Sequence, residues 1–99
     1  MKIDLNQVYT LKLNSGEELI AKIVEENDKS ITVESPVSVA PGPQGMGLVP
    51  SLFTADPRAK VTININSVAV LAATEDAVKT KYIEATTGIR VPEKKIVMG

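Results

Sequence analysis

Two groups of short polar residues are the chemically loaded features of this sequence. Asn27-Asp28-Lys29 sets an amide, a carboxylate and an ammonium group side by side, while Asn64, Asn66 and Ser67 follow one another on a separate stretch. Amides and hydroxyls hydrogen-bond the edges of unpaired bases, so the second group suits nucleotide readout. Each group has a plainer alternative. Asn27-Asp28-Lys29-Ser30 has the composition of a solvated hairpin turn, and Asn64 and Asn66 fit the polar outer face of a strand. Tyr9, Phe53 and Tyr82 are the only aromatics available for base stacking, and none is interleaved with a basic cluster. Arg90, Lys94 and Lys95 could meet a phosphate, although a short basic tail is more often solvated.

Catalytic constellations are harder to assemble. The chain has no histidine and no cysteine, which removes the commonest general base and the thiol nucleophile. Glu17-Glu18 and Glu25-Glu26 with Asp28 are the densest carboxylates. Adjacent glutamates at strand ends do not oppose one another across a cleft, as paired acid chemistry requires. Residues 42–47 (GPQGMG) invite a phosphate-loop reading, but no Lys-Ser/Thr follows and no helical pattern succeeds them. The expectation is therefore a protein that is not an enzyme, with no cofactor and no metal site.

Eleven basic residues against twelve acidic ones leave a net charge of −1, which argues against broad electrostatic capture of nucleic acid. The ninety-nine residues suit one domain spanning the whole chain. A hydrophobic content of 43% beside 23% charged residues is high for that size, so either the core is rich in Val and Ile or apolar surface is kept for a partner. No apolar stretch approaches the length of a membrane span, and "MKIDLNQVYT" lacks the apolar segment of a signal peptide. A cytoplasmic protein is the expectation (host cytoplasm, if the source is viral).

The elements that must position these residues read mainly as strands. Residues 8–13 (VYTLKL) alternate, with Tyr9, Leu11 and Leu13 on one face. Asn14-Ser15-Gly16 supplies a tight turn. Residues 17–26 would suit a helix by propensity, but Leu19, Ala21 and Ile23 alternate between two turn signals and predict a strand. After the turn at residues 27–30, Ile31, Val33, Val37 and Val39 resume the alternation, with Ser35 on their face and Pro36 confining the strand to an edge or a bend. Residues 41–58 break all periodicity and read as a long loop with an apolar tip of Met46, Leu48, Val49, Leu52 and Phe53. Val61, Ile63 and Ile65 alternate again, a sharp corner follows at Asn66-Ser67, and residues 68–73 (VAVLAA) read as a strand covered on both sides. Thr74 as N-cap predicts a helix over about 75–86, ended by Gly88, with Val78, Tyr82 and Ala85 or Ile83 as its apolar stripe. A basic, apolar tail of residues 89–99 completes the chain.

This pattern resembles the Sm-like family of small five-stranded barrels. Leu11-x-Leu13, Asn14-Ser15-Gly16 and the alternating Leu19, Ala21 and Ile23 are similar to the first half of the Sm-1 motif. "ININSVAVL" (residues 63–71) is similar to the Sm-2 half, where an isoleucine-polar-small corner joins the last two strands. The Gly/Pro/Met-rich insertion and the segment "YIEATTGIRVP" are similar to Sm-like proteins of marine tailed phages. The likeness implies a mainly β fold, a five-stranded Sm-like or SH3-like barrel over about residues 8–73, with a long loop before its fourth strand and a C-terminal helix.

The same likeness implies a homo-oligomeric ring closed by pairing the fourth strand of one subunit with the fifth of the next. Val61, Ile63, Ile65, Val68 and Val70 would form that interface. Residues 61–73 carry no charge, and exposed apolar edges tend to find a partner. Single-stranded RNA is the implied ligand, at Asn27, Asp28, Asn64, Asn66 and Ser67. The family's arginine-glycine step reads Asn66-Ser67 here, and the lysine-histidine pair of its bacterial RNA chaperones has no counterpart. The alternative is a phage structural or protein-interaction module without RNA binding, which docks a protein partner through residues 42–53.

Overall fold

The computed structural model describes residues 2–43, 45–56 and 58–87. Six strands, a 3₁₀ turn and one helix follow in order: β1 (Gln7–Leu13), β2 (Glu18–Glu26), β3 (Ser30–Gly42), β4 (Gly45–Pro50), β5 (Lys60–Asn64), the turn Ile65–Ser67, β6 (Val68–Ala73) and α1 (Asp76–Thr87). The mainly β reading holds, and residues 17–26 form the strand that their alternation requires despite good helix formers. The expected Gly88 cap and the 89–99 tail lie outside the described residues.

All pairings are antiparallel. The sheet runs β4-β3-β2-β1-β6, and β5 also pairs with β3. The length of β3 explains this branching. Its first half pairs with β5 from Ser30 opposite Asn64 to Glu34 opposite Lys60. Its second half pairs with β4 from Val37 opposite Pro50 to Gly42 opposite Gly45. The change of partner falls at Ser35-Pro36, where Ser35 holds a positive φ of 51°. A residue in that conformation kinks the strand, and Pro36 has no N–H to offer a ladder.

The bend also redirects side chains. Ile31 and Val33 enter one core cluster with Ile3, Tyr9, Leu11, Leu19, Ala21 and Ile23. Val37 instead joins Ile20 and Tyr82 in a second cluster, packed with Val8, Val39, Leu48 and Val78. The expectation of one continuous face from Ile31 to Val39 is thereby corrected: the kink at Ser35 sends the two halves of β3 to opposite sides of the sheet.

The six-stranded count corrects the expected five. The expected loop over residues 41–58 is corrected in its first part: prolines and glycines hide the pairing there, yet Gly42 and Gly45 stand opposite each other at the end of the β3–β4 ladder. Gly45 takes a φ of 108° there, which glycine adopts without a Cβ clash. Pairing of β3 with β2 reaches only as far as Ser38, so residues beyond it form a two-stranded arm with one ladder to satisfy. Prolines are tolerable in such an edge arm for that reason.

The sheet is open but strongly curled. β5 and β6 do not pair with each other, although the 3₁₀ turn joins them directly. That turn reaches both ends of β2: Ile65 N donates to Lys29 O at 2.9 Å, and Asn14 N donates to Ser67 O at 2.8 Å. A straight nine-residue strand would separate its flanking turns by roughly 25–30 Å, so β2 must coil to let three consecutive residues touch both. Irregular register in the β2–β3 ladder after Ile20 and Ile23 supplies that coil.

The helix covers the second cluster. Tyr82 is its buried residue, and Val78 packs beside it. Ile83, offered as an alternative member of the stripe, is 43% exposed, and Ala85 is exposed too. Thr74 does not cap the helix. Its hydroxyl pairs with that of Thr10 at 2.9 Å, which ties the segment before α1 to β1.

Candidate functional site

The corner between β5 and β6 and the turn between β2 and β3 come together, as the two polar groups of the sequence require. Ser30 stands opposite Asn64 in the β3–β5 ladder, and the Ile65–Lys29 hydrogen bond joins the next residues along. Asn27 and Asp28 therefore belong to the turn that meets Asn64, whereas Asn66 and Ser67 bond to Asn14 of the β1–β2 turn; all five are exposed.

Their side chains are not equally free. Asn27 Oδ1 accepts from the backbone N–H groups of Lys29 at 2.8 Å and Ser30 at 2.9 Å, closing its own turn. Asn64 Oδ1 accepts from Asn66 N at 2.8 Å and so starts the 3₁₀ turn. Asn14 Nδ2 donates to Asn66 O at 2.6 Å, a staple from the β1–β2 turn. Among the described residues, the Asn66 amide, the Ser67 hydroxyl and the Asp28 carboxylate have no hydrogen-bond partner, so these groups are available to a ligand. Lys29 is the one cation of the turn, beside Glu25, Glu26 and Asp28. Such a corner would attract phosphate poorly, and any readout there would depend on hydrogen bonds.

The expected interface residues divide into two kinds. Val61, Ile63, Ile65 and Val68 are partly buried against their own core cluster, because alternation points them inward. Val70 is 53% exposed. Its neighbours Ala69, Ala72 and Ala73 are exposed as well, so β6 is not covered on both faces within one chain. Among the described residues the outer edges of β4, β5 and β6 have no strand beside them. A groove lined by Ile3, Asn27, Ile31, Ile65, Val68 and Val70 runs beside the β6 edge.

A second depression, about 210 Å³, lies between the bend of β3, β4, the segment after β4 and the end of α1. Pro36, Val37, Leu48, Leu52, Val61 and Ala85 contribute to its wall. Of the expected apolar tip, Val49, Leu52 and Phe53 are exposed whereas Leu48 packs against the second cluster; the cavity itself leaves no sequence signal, since its wall joins residues as distant as Ser35 and Thr86. Nearby, Asp56 accepts from Arg58 N at 2.9 Å and pairs with the Arg58 guanidinium at 3.6 Å.

Among the described residues no cluster of three or more His, Cys, Asp or Glu side chains could hold a metal ion, and no helix is long and apolar enough to cross a membrane. Gly42, Gly45 and Gly47 of the GPQGMG stretch sit in the β3–β4 arm rather than before a helix. No protein-family model matches the chain, and no curated protein matches it.

Proposed function

We propose that this protein is a self-assembling Sm-like module, with the curled sheet as its small barrel and β4 as an arm inserted ahead of the fourth barrel strand. Subunits join by pairing the outer edge of β5 in one copy with the outer edge of β6 in the next, giving a homo-oligomeric ring. The observation that carries this reading is the pair of strand edges on either side of one corner, unpartnered among the described residues and uncharged over residues 61–73. Val70 and three alanines exposed on β6 add apolar surface to that edge. Its role is assembly and binding rather than catalysis. Sedimentation equilibrium should give a mass of several chains at micromolar concentration, and a mass of 10.6 kDa throughout that range would sink the ring.

RNA is the second reading, favoured by the exposed Asp28, Asn66 and Ser67 groups on the turn and the corner that the Ile65–Lys29 hydrogen bond joins. In a ring these groups would repeat around the centre and meet successive nucleotides of a single strand. Fluorescence anisotropy with short oligo-U and oligo-A tests it at low and moderate salt. Saturable binding that Asn66→Ala weakens supports the reading; no saturable binding at either salt removes it and leaves the ring. A protein-interaction role, in a phage assembly or elsewhere, draws on the exposed Val49, Leu52 and Phe53 of residues 42–53.

A further inference from the structure

Phe53 is 83% exposed, the most exposed large apolar side chain of the described residues, while Leu52 beside it contributes to the wall of the 210 Å³ depression. Leu52 contributes to that wall and Phe53 does not, so the Phe53 ring is left to solvent. The wall is apolar where it matters: Pro36, Val37, Leu48, Pro50, Val61 and Ala85. The polar groups at its rim are largely engaged already. Thr86 Oγ1 donates to Tyr82 O at 2.8 Å, and Asp56 holds Arg58. An occupant bringing hydrogen-bonding groups would find few partners, whereas an aromatic ring would lose nothing. The volume is sufficient, because apolar cavities of about 150 Å³ accommodate benzene.

We infer that this depression is a socket for Phe53 of a second copy of the chain, with two copies exchanging Phe53 about a two-fold axis. A two-fold interface needs plug and socket within a single patch, since the same surface serves both subunits. Consecutive residues meet that condition here. Asp56 lies in the wall and Arg58, two residues on, is 91% exposed, so antiparallel apposition can exchange this exposed ion pair between the two copies. This contact is separate from the β5 and β6 edges: joined to a ring it would pair two rings, and without a ring it gives a dimer.

Sedimentation velocity on the full chain, from micromolar to hundred-micromolar concentration, tests it with Phe53→Ala and Ala85→Glu. Both positions are exposed, and near-identical far-ultraviolet circular dichroism and melting would show that both variants fold. At a concentration where the wild type is paired, each variant should have half the wild-type mass, with association weakened by about ten-fold or more. An equimolar mixture of the two keeps one intact plug and one intact socket per pair and should recover part of the association. A Val70→Lys background should keep the dimer, which separates this contact from ring formation. Equal masses for the wild type and both variants would overturn the inference and leave the socket to an occupant other than this chain.

Discussion

Tyr82 ties the helix to the sheet with a single hydroxyl. It is 3% exposed, and its O–H donates to Glu34 O at 2.9 Å. Burial pushes its pKa up to about 12 from an ordinary 10.0; a backbone hydrogen bond from Lys22 opposes the rise, and the charge of Glu34 adds to it. Removing the hydroxyl in Tyr82→Phe should cost about 1 kcal/mol of stability in urea melts below pH 10. As pH rises from 10 to 12, the unfolded phenol loses its proton before the folded one, so this contribution is present at lower pH and fades through that window. The stability gap between wild type and Tyr82→Phe should therefore close on the alkaline side. A gap that stays constant across the window would contradict the buried phenol. At the corner, Asn64→Ala removes the cap of the 3₁₀ turn and should destabilise by about 0.5–1 kcal/mol. Asn66→Ala removes an amide with no partner among the described residues and should leave the melting temperature within error. That contrast makes Asn66→Ala a clean probe for nucleotide binding, because any lost affinity would not reflect lost fold.

The bend in β3 sets the architecture at the level of elements. Ser35 with its positive φ lets one strand serve β5, β4 and both core clusters. An L-residue in this region costs about 1–2 kcal/mol, which glycine relieves at some expense in unfolded-state entropy. Ser35→Gly should therefore stabilise slightly, by less than about 1 kcal/mol, whereas Ser35→Val should destabilise by about 1–3 kcal/mol. Chemical denaturation of the three proteins checks the order, and a Val variant as stable as Ser would contradict the kink. The sequence marked the place through Pro36 but not the change of face, since alternation across a bulge looks unbroken in one dimension. Strands β1, β2 and β5 were legible because their apolar alternation survives into the structure: Tyr9 and Leu11, then Leu19, Ala21 and Ile23, then Val61, Ile63 and Ile65 all face the same cluster. β4 was not legible, because an arm with a single ladder needs little alternation and tolerates prolines. The helix start moved for a comparable reason. Thr74 has a cap's chemistry but finds a better partner in Thr10, a contact sixty-four residues away in sequence.

For the whole molecule, the proposed assembly turns on the open corner between β5 and β6. Curling brings these two strands to one point without pairing them, so among the described residues each keeps an edge with no strand beside it. The polar residues were legible by type, and the structure joins the β2–β3 turn to Asn64 while Asn66 and Ser67 bond to Asn14. Their division into engaged oxygens and free amide, hydroxyl and carboxylate groups was not, because hydrogen-bond bookkeeping needs coordinates. The absence of cysteine from the sequence gives the assembly a direct test. Single cysteines at exposed Thr62 on β5 and at exposed Ala69, Val70 or Ala72 on β6 can be combined pairwise in one chain. Because β5 and β6 do not pair within a chain, a disulfide between these positions that yields covalent multimers under mild oxidation reports pairing between neighbours, and it requires Cα atoms within about 7 Å. At least one of the three pairs should yield a ladder of covalent multimers on non-reducing gels, collapsing on reduction and absent from either single-cysteine parent beyond the dimer. Monomer alone from all three pairs, at concentrations where the protein is associated, would contradict edge-to-edge assembly.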